Sequence, residues 1–99
     1  MTQLRLALAQ VNPTVGDLTG NAEIVVQRMH EAAAAGAHLV AFPEMMLTGY
    51  PVEDLALRPA FQRASRQAVV ALAQRLAAEG LGELPCVVGF LDSRRDAAG

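Results

Sequence analysis

The stretch "HLVAFPEMMLTGYP", residues 38–51, decides how this chain folds. Residues 38–42 are a short apolar run of the kind that fits a buried strand. Pro43 has no N–H to give to a ladder, so pairing is expected to stop there. It also holds Phe42 toward an extended backbone. Glu44 follows at once. Gly49 then permits a turn with positive φ, and Pro51 stiffens the chain after it. A buried strand thus ends in a carboxylate and a built loop. What that carboxylate does depends on the sheet around it.

Working outward, "QLRLALAQ", residues 3–10, alternates with period two and reads as a strand. Its second face is also largely apolar, which suits a sheet covered on both sides. The loop "VNPTVGDLTG" follows, and Asn21 is placed as the N-cap of a helix. Behind it Ala22, Val25, Val26, Met29 and Ala33 recur at helical spacing, and Gly36 is placed to end the helix. Pro59 fits the first turn of a second helix, with Phe61, Ala64, Ala68, Leu72 and Leu76 as its stripe and Gly80 as its stop. "PCVVGFL", residues 85–91, is a third strand, and "DSRRDAAG" is a polar tail.

The order is β-α-β-α-β, with connections long enough for crossover helices. That implies an α/β fold with parallel strands and right-handed crossovers. Three such strands leave two unpaired edges and one uncovered face. Residues 1–99 therefore read as the opening part of a larger α/β domain.

Composition sets the outer limits. The chain has 99 residues, 53% hydrophobic and 18% charged, a core-forming balance. The net charge of −2 argues against a nucleic-acid partner. All eight basic residues are arginines, so lysine-dependent chemistry cannot be completed within these residues. The single cysteine, Cys86, excludes an internal disulfide and points to a reducing, cytoplasmic setting. No apolar run approaches the ~18 residues of a membrane span, and no signal-peptide core is present.

In open α/β sheets, ligands gather beyond the carboxyl ends of the strands. Glu44 follows the second strand at that end. Its apolar neighbours Phe42, Met45, Met46 and Leu47 would raise its pKa by desolvation, which suits proton transfer. A solvated loop carboxylate or an N-cap partner has the same spacing, and the residues alone leave these readings open. Tyr50 lies on the same loop, as a pocket residue or a packing one. Glu53 and Asp54 read as a helix-start pair favoured by the dipole. His30 and His38 have no ligand-spaced company for a metal. Cys86 opens a strand and reads as a small buried hydrophobe with a raised pKa.

"LRLALAQVNPTVGDLTGN", "LVAFPEMMLTGYPVEDLALRPAF" and "CVVGFLD" together resemble the start of the nitrilase superfamily of carbon–nitrogen hydrolases. "FPE" closely followed by "GY" is shared across that superfamily. The continuation through Glu53-Asp54-Leu55 and Arg58-Pro59 resembles the glutaminase domain of glutamine-dependent NAD+ synthetases. The resemblance covers nearly the whole chain and about the first third of such a domain.

It implies an αββα sandwich and a Glu–Lys–Cys triad in which Glu44 is the general base. The resemblance then assigns Tyr50 to the substrate pocket or an ammonia route. The lysine and the nucleophilic cysteine are expected beyond residue 99, and Cys86 is not that nucleophile. The implied substrate is glutamine. The implied partners are a C-terminal synthetase domain using ATP with Mg2+ and deamido-NAD+, and further copies in a homo-oligomer. These residues alone are expected to be inactive. Two alternatives share the sequence: a stand-alone amidase of the same superfamily, and a complete non-catalytic α/β module. The last should melt cooperatively, whereas a piece of a domain should be poorly soluble or molten.

Overall fold

A computed structural model describes residues 3–92. Strand β1 (Leu6–Leu8), helix α1 (Leu18–Ala34), strand β2 (Leu39–Ala41), helix α2 (Pro59–Ala78) and strand β3 (Cys86–Val87) follow in the expected order. A 3-10 turn at Glu53–Leu57 precedes α2. The three strands form one parallel sheet in the order β1-β2-β3. The polar tail from residue 93 lies outside the described residues.

The register sorts the side chains. Ala7 aligns with Val40 and Val40 with Cys86, so these three share a face. Leu6 and Leu8 align with Leu39 and Ala41, and Ala41 with Val87, on the opposite face. A sheet that grows in one direction through right-handed crossovers carries both helices on one side. The core shows this arrangement: Val25, Val26 and Met29 of α1 meet Val40, Leu72 and Leu76 in one buried cluster. The other face is bare among the described residues, with Leu4 and Leu8 each 73% exposed and Leu6 and Val87 more than half exposed.

Helix ends follow local chemistry, with one correction. Gly36 and Gly80 adopt φ of 80° and 81° just past the C-caps Ala35 and Glu79. Pro59 takes the first turn of α2. The N-cap of α1, however, is Asp17 and not Asn21: its carboxylate accepts from the Gly20 N–H at 3.0 Å. Aspartate caps as well as asparagine does, and here it lies one turn earlier. Asn21 instead lies within the helix and is buried. The apolar stripe of α1 runs to Ala32 rather than Ala33. On α2 the buried positions are Ser65, Leu72 and Leu76, with Phe61, Ala64 and Ala68 only partly covered. The Ser65 hydroxyl accepts from the Leu91 N–H at 3.0 Å.

The ladders are shorter than the apolar runs. Backbone bonds still extend beyond them: Ala9 N–H donates to the Ala41 carbonyl at 2.9 Å and Phe42 N–H to the Val87 carbonyl at 3.0 Å.

Candidate active site

Glu44 stands where the carboxyl ends of the strands open onto a turn. Residues 44–48 form that turn, closed by Gly49 N–H donating to the Met45 carbonyl at 2.8 Å. The turn directs Met46, Leu47 and Thr48 inward, all fully buried, and leaves Glu44 exposed. The apolar neighbours therefore do not enclose the carboxylate among the described residues. Their burial fixes the turn, and Glu44 is what the turn presents. Its carboxylate is taken up by no hydrogen bond or ion pair among the described residues.

Three neighbours hold the turn. Leu47 N–H donates to the Gly89 carbonyl just past β3 at 3.1 Å. Gly16 N–H donates to the Thr48 carbonyl at 2.8 Å, from the loop between β1 and α1. Asn21 Nδ2 donates to the Leu47 carbonyl at 3.0 Å. Gly49 has φ 77° and lies so close to Val15 that a Cβ would stand 2.6 Å from its backbone. Here glycine is required by conformation and by space together.

Between this turn and the β1–α1 loop lies a cavity of about 470 Å³, lined by Val11, Asn12, Pro13, Pro43, Glu44 and Tyr50. Its size suits a small-molecule site. Glu44 and Tyr50 are thus brought together on one cavity. Tyr50 is 75% exposed, so it lines rather than packs. Sequence reading missed Asn12 and Pro13 as the opposite wall, and Asn21 as the tie beneath it. The signal was present: "VNP" ends the first strand as "FPE" ends the second, and adjacent parallel strands open toward the same edge.

The remaining candidates lie elsewhere. Glu53 and Asp54 open the 3-10 turn. Cys86 opens β3 on the helix-covered face, and burial pushes its thiol pKa up. The Arg5 N–H donates to His38 Nδ1 at 2.9 Å. His30 Nε2 lies 2.6 Å from Glu79 on the outer helical layer. At the N-terminus of α1 the carboxylate of its own cap, Asp17, takes up the Gly20 N–H.

Comparisons with known proteins agree with this geometry. Residues 5–84 match the family described as carbon-nitrogen hydrolase. The glutamine-dependent NAD(+) synthetase of Thermotoga maritima is 42% identical over 97 residues, which are 98% of this chain and 16% of that protein. The enzyme of the same name from Rhodobacter capsulatus is 51% identical over 74 residues, 75% of this chain and 13% of that protein. A solved glutamine-dependent NAD+ synthetase from Acinetobacter baumannii superposes over 97% of this chain with a TM-score of 0.74 and 27% identity. This chain covers 17% of that structure. The parallel sheet, the turn that presents Glu44 and the matched span from residue 5 to residue 84 have one explanation, that this chain belongs to the carbon-nitrogen hydrolase family.

Proposed function

We propose that Glu44 is the general base of a glutaminase whose ammonia serves an ATP-dependent amidation of deamido-NAD+ to NAD+. One observation carries the reading: a carboxylate with no partner among the described residues is presented by a clamped turn into a cavity at the carboxyl edge of a parallel sheet. The names of the relatives support the choice of glutamine and NAD+.

In this reading Glu44 takes the proton of a cysteine thiol, and the thiolate attacks the side-chain amide carbon of glutamine. A lysine stabilises the tetrahedral oxyanion. The carbon–nitrogen bond breaks, the proton returns from Glu44 to the leaving nitrogen, and ammonia departs from a thioester. Glu44 then takes a proton from water, which attacks the thioester and releases glutamate and the thiol. The lysine and the nucleophilic cysteine come from sequence beyond these 99 residues, as does the domain that uses ATP, Mg2+ and deamido-NAD+. Tyr50 lines the glutamine pocket or the ammonia route. The setting is cytoplasmic and the assembly homo-oligomeric.

The test is Glu44→Gln in the protein as its native source makes it. Glutamine-dependent NAD+ formation should be abolished while ammonia-dependent formation is spared. Equal loss of both counts against the assignment. A stand-alone amidase would show glutamine hydrolysis with neither route to NAD+.

A further inference from the structure

Asn21 is a polar side chain only 1% exposed, yet every hydrogen-bonding atom of its carboxamide is engaged, always with backbone. Oδ1 accepts from the Thr14 N–H at 2.8 Å. Nδ2 donates to the Thr14 carbonyl at 2.8 Å and to the Leu47 carbonyl at 3.0 Å. This is the one orientation of the amide that satisfies all three partners. The two anchor residues belong to the two loops that border the Glu44 cavity. Thr14 follows Pro13 on the β1–α1 loop, and Leu47 is in the turn that presents Glu44. A single buried side chain therefore ties the two loops together. Without it, the Gly16-to-Thr48 contact is the one direct backbone hydrogen bond left between the two loops among the described residues.

We propose that Asn21 is a positioning residue for the Glu44 carboxylate, fixing the separation of the turn from the β1–α1 loop. The inference rests on Glu44 being the general base. Asn21→Asp is the informative change, because it keeps the shape and the acceptor for Thr14 N–H. It removes both N–H donors and turns a carboxylate oxygen onto two carbonyls, which repel it. A displacement of about 1 Å at a reacting group costs on the order of 100-fold in rate.

The experiment measures glutamate release from glutamine, ammonia-dependent amidation of deamido-NAD+ and thermal melting, in wild type, Asn21→Asp, Asn21→Ala and Glu44→Gln forms of the protein as its source makes it. Both Asn21 variants should lose about 100-fold in kcat for glutamate release. Their KM for glutamine and their ammonia-dependent rate should stay near wild type. A wild-type kcat in a folded Asn21 variant overturns the proposal. So does parallel loss of both activities, or failure of both variants to fold, since either makes Asn21 a residue of stability alone. If Glu44→Gln still hydrolyses glutamine normally, the base assignment falls and takes this inference with it. If Glu44→Gln is dead and Asn21→Asp is not, only this inference falls.

Discussion

Gly89 underlies Met45 so closely that a methyl group added to it would stand 2.6 Å from the Met45 backbone nitrogen. The residue just past β3 is thus the floor on which the turn carrying Glu44 rests, and its carbonyl accepts from Leu47 N–H. Gly89→Ala must push the turn outward or displace the strand end. We expect a loss of about 1–3 kcal/mol in stability, the usual range for overpacking. Chemical denaturation of wild type and variant checks this, and an unchanged midpoint would show that the turn has room to move.

Gly49→Ala should cost more than Gly89→Ala. It meets a close backbone neighbour, Val15, and it also needs φ 77°, a left-handed conformation that costs an alanine about 1–2 kcal/mol. The comparison of the two variants in one denaturation series separates conformational strain from crowding. Equal losses would mean that crowding alone matters at both positions.

The helical layer has its own pH signature. Arg75 joins Glu23 of α1 to Glu79 at the end of α2, and Glu79 also meets His30. The hydrogen bond from Arg75 lowers the Glu23 pKa; hydrogen bonds from His30 and then Arg75 lower that of Glu79. A carboxylate whose folded pKa is depressed stabilises the fold above its unfolded pKa, about 4.3, and that contribution fades as pH falls through the folded value. Arg75→Gln should therefore lower the melting temperature modestly at pH 7. The deficit should begin to shrink as pH falls below about 4.3, vanish once pH lies below the depressed folded values of Glu23 and Glu79, and shrink in about 1 M salt. A deficit unchanged at low pH would trace to lost packing of the arginine stem instead.

Cys86 should behave as a core residue. With its pKa raised by burial, native protein should react slowly with a thiol reagent at this position, and unfolded protein quickly. Under the proposed function, Cys86→Ala should leave glutamine-dependent NAD+ formation intact in the protein as its source makes it. Loss of that activity without a change in melting would give this thiol a chemical role.

The bare sheet face makes a prediction for residues 1–99 produced alone. Leu4, Leu6, Leu8 and Val87 form an exposed apolar set, which invites association. The isolated segment should bind a hydrophobic dye and elute as aggregates. Leu6→Glu with Leu8→Glu should reduce both effects. A monomer that ignores the dye would mean that the face is closed in solution.

Much of this was legible because strands and glycines speak locally. Gly36, Gly80 and Pro59 mark helix ends through φ and a missing N–H, and they stand where their chemistry predicts. Asn21 was misread because its residue type satisfies a capping rule; only tertiary placement shows that its amide serves two loops. Ser65 was hidden in the same way, as a polar residue on an inner face whose partner, Leu91, is 26 positions away. The exposure of Glu44 was also beyond local reading. Apolar neighbours in sequence suggest enclosure, whereas the turn at 44–48 sends them inward and the carboxylate outward. The opposite wall at Val11, Asn12 and Pro13 needed the parallel pairing of β1 and β2, a relationship between segments some thirty residues apart.

Besides the burial of its inward side chains, the turn at 44–48 is held through hydrogen bonds to its main chain, from Gly16 and Asn21, to Gly89, and by its own closing bond. Those anchors do not read the side chains of Met45, Met46 or Leu47. Randomising these three positions among apolar residues of similar volume should yield many folded variants, while single changes at Asn21, Gly49 or Gly89 should yield few. Constraint is thus displaced from the presented loop onto its supports, and the residues least free to vary are ones that do not line the cavity.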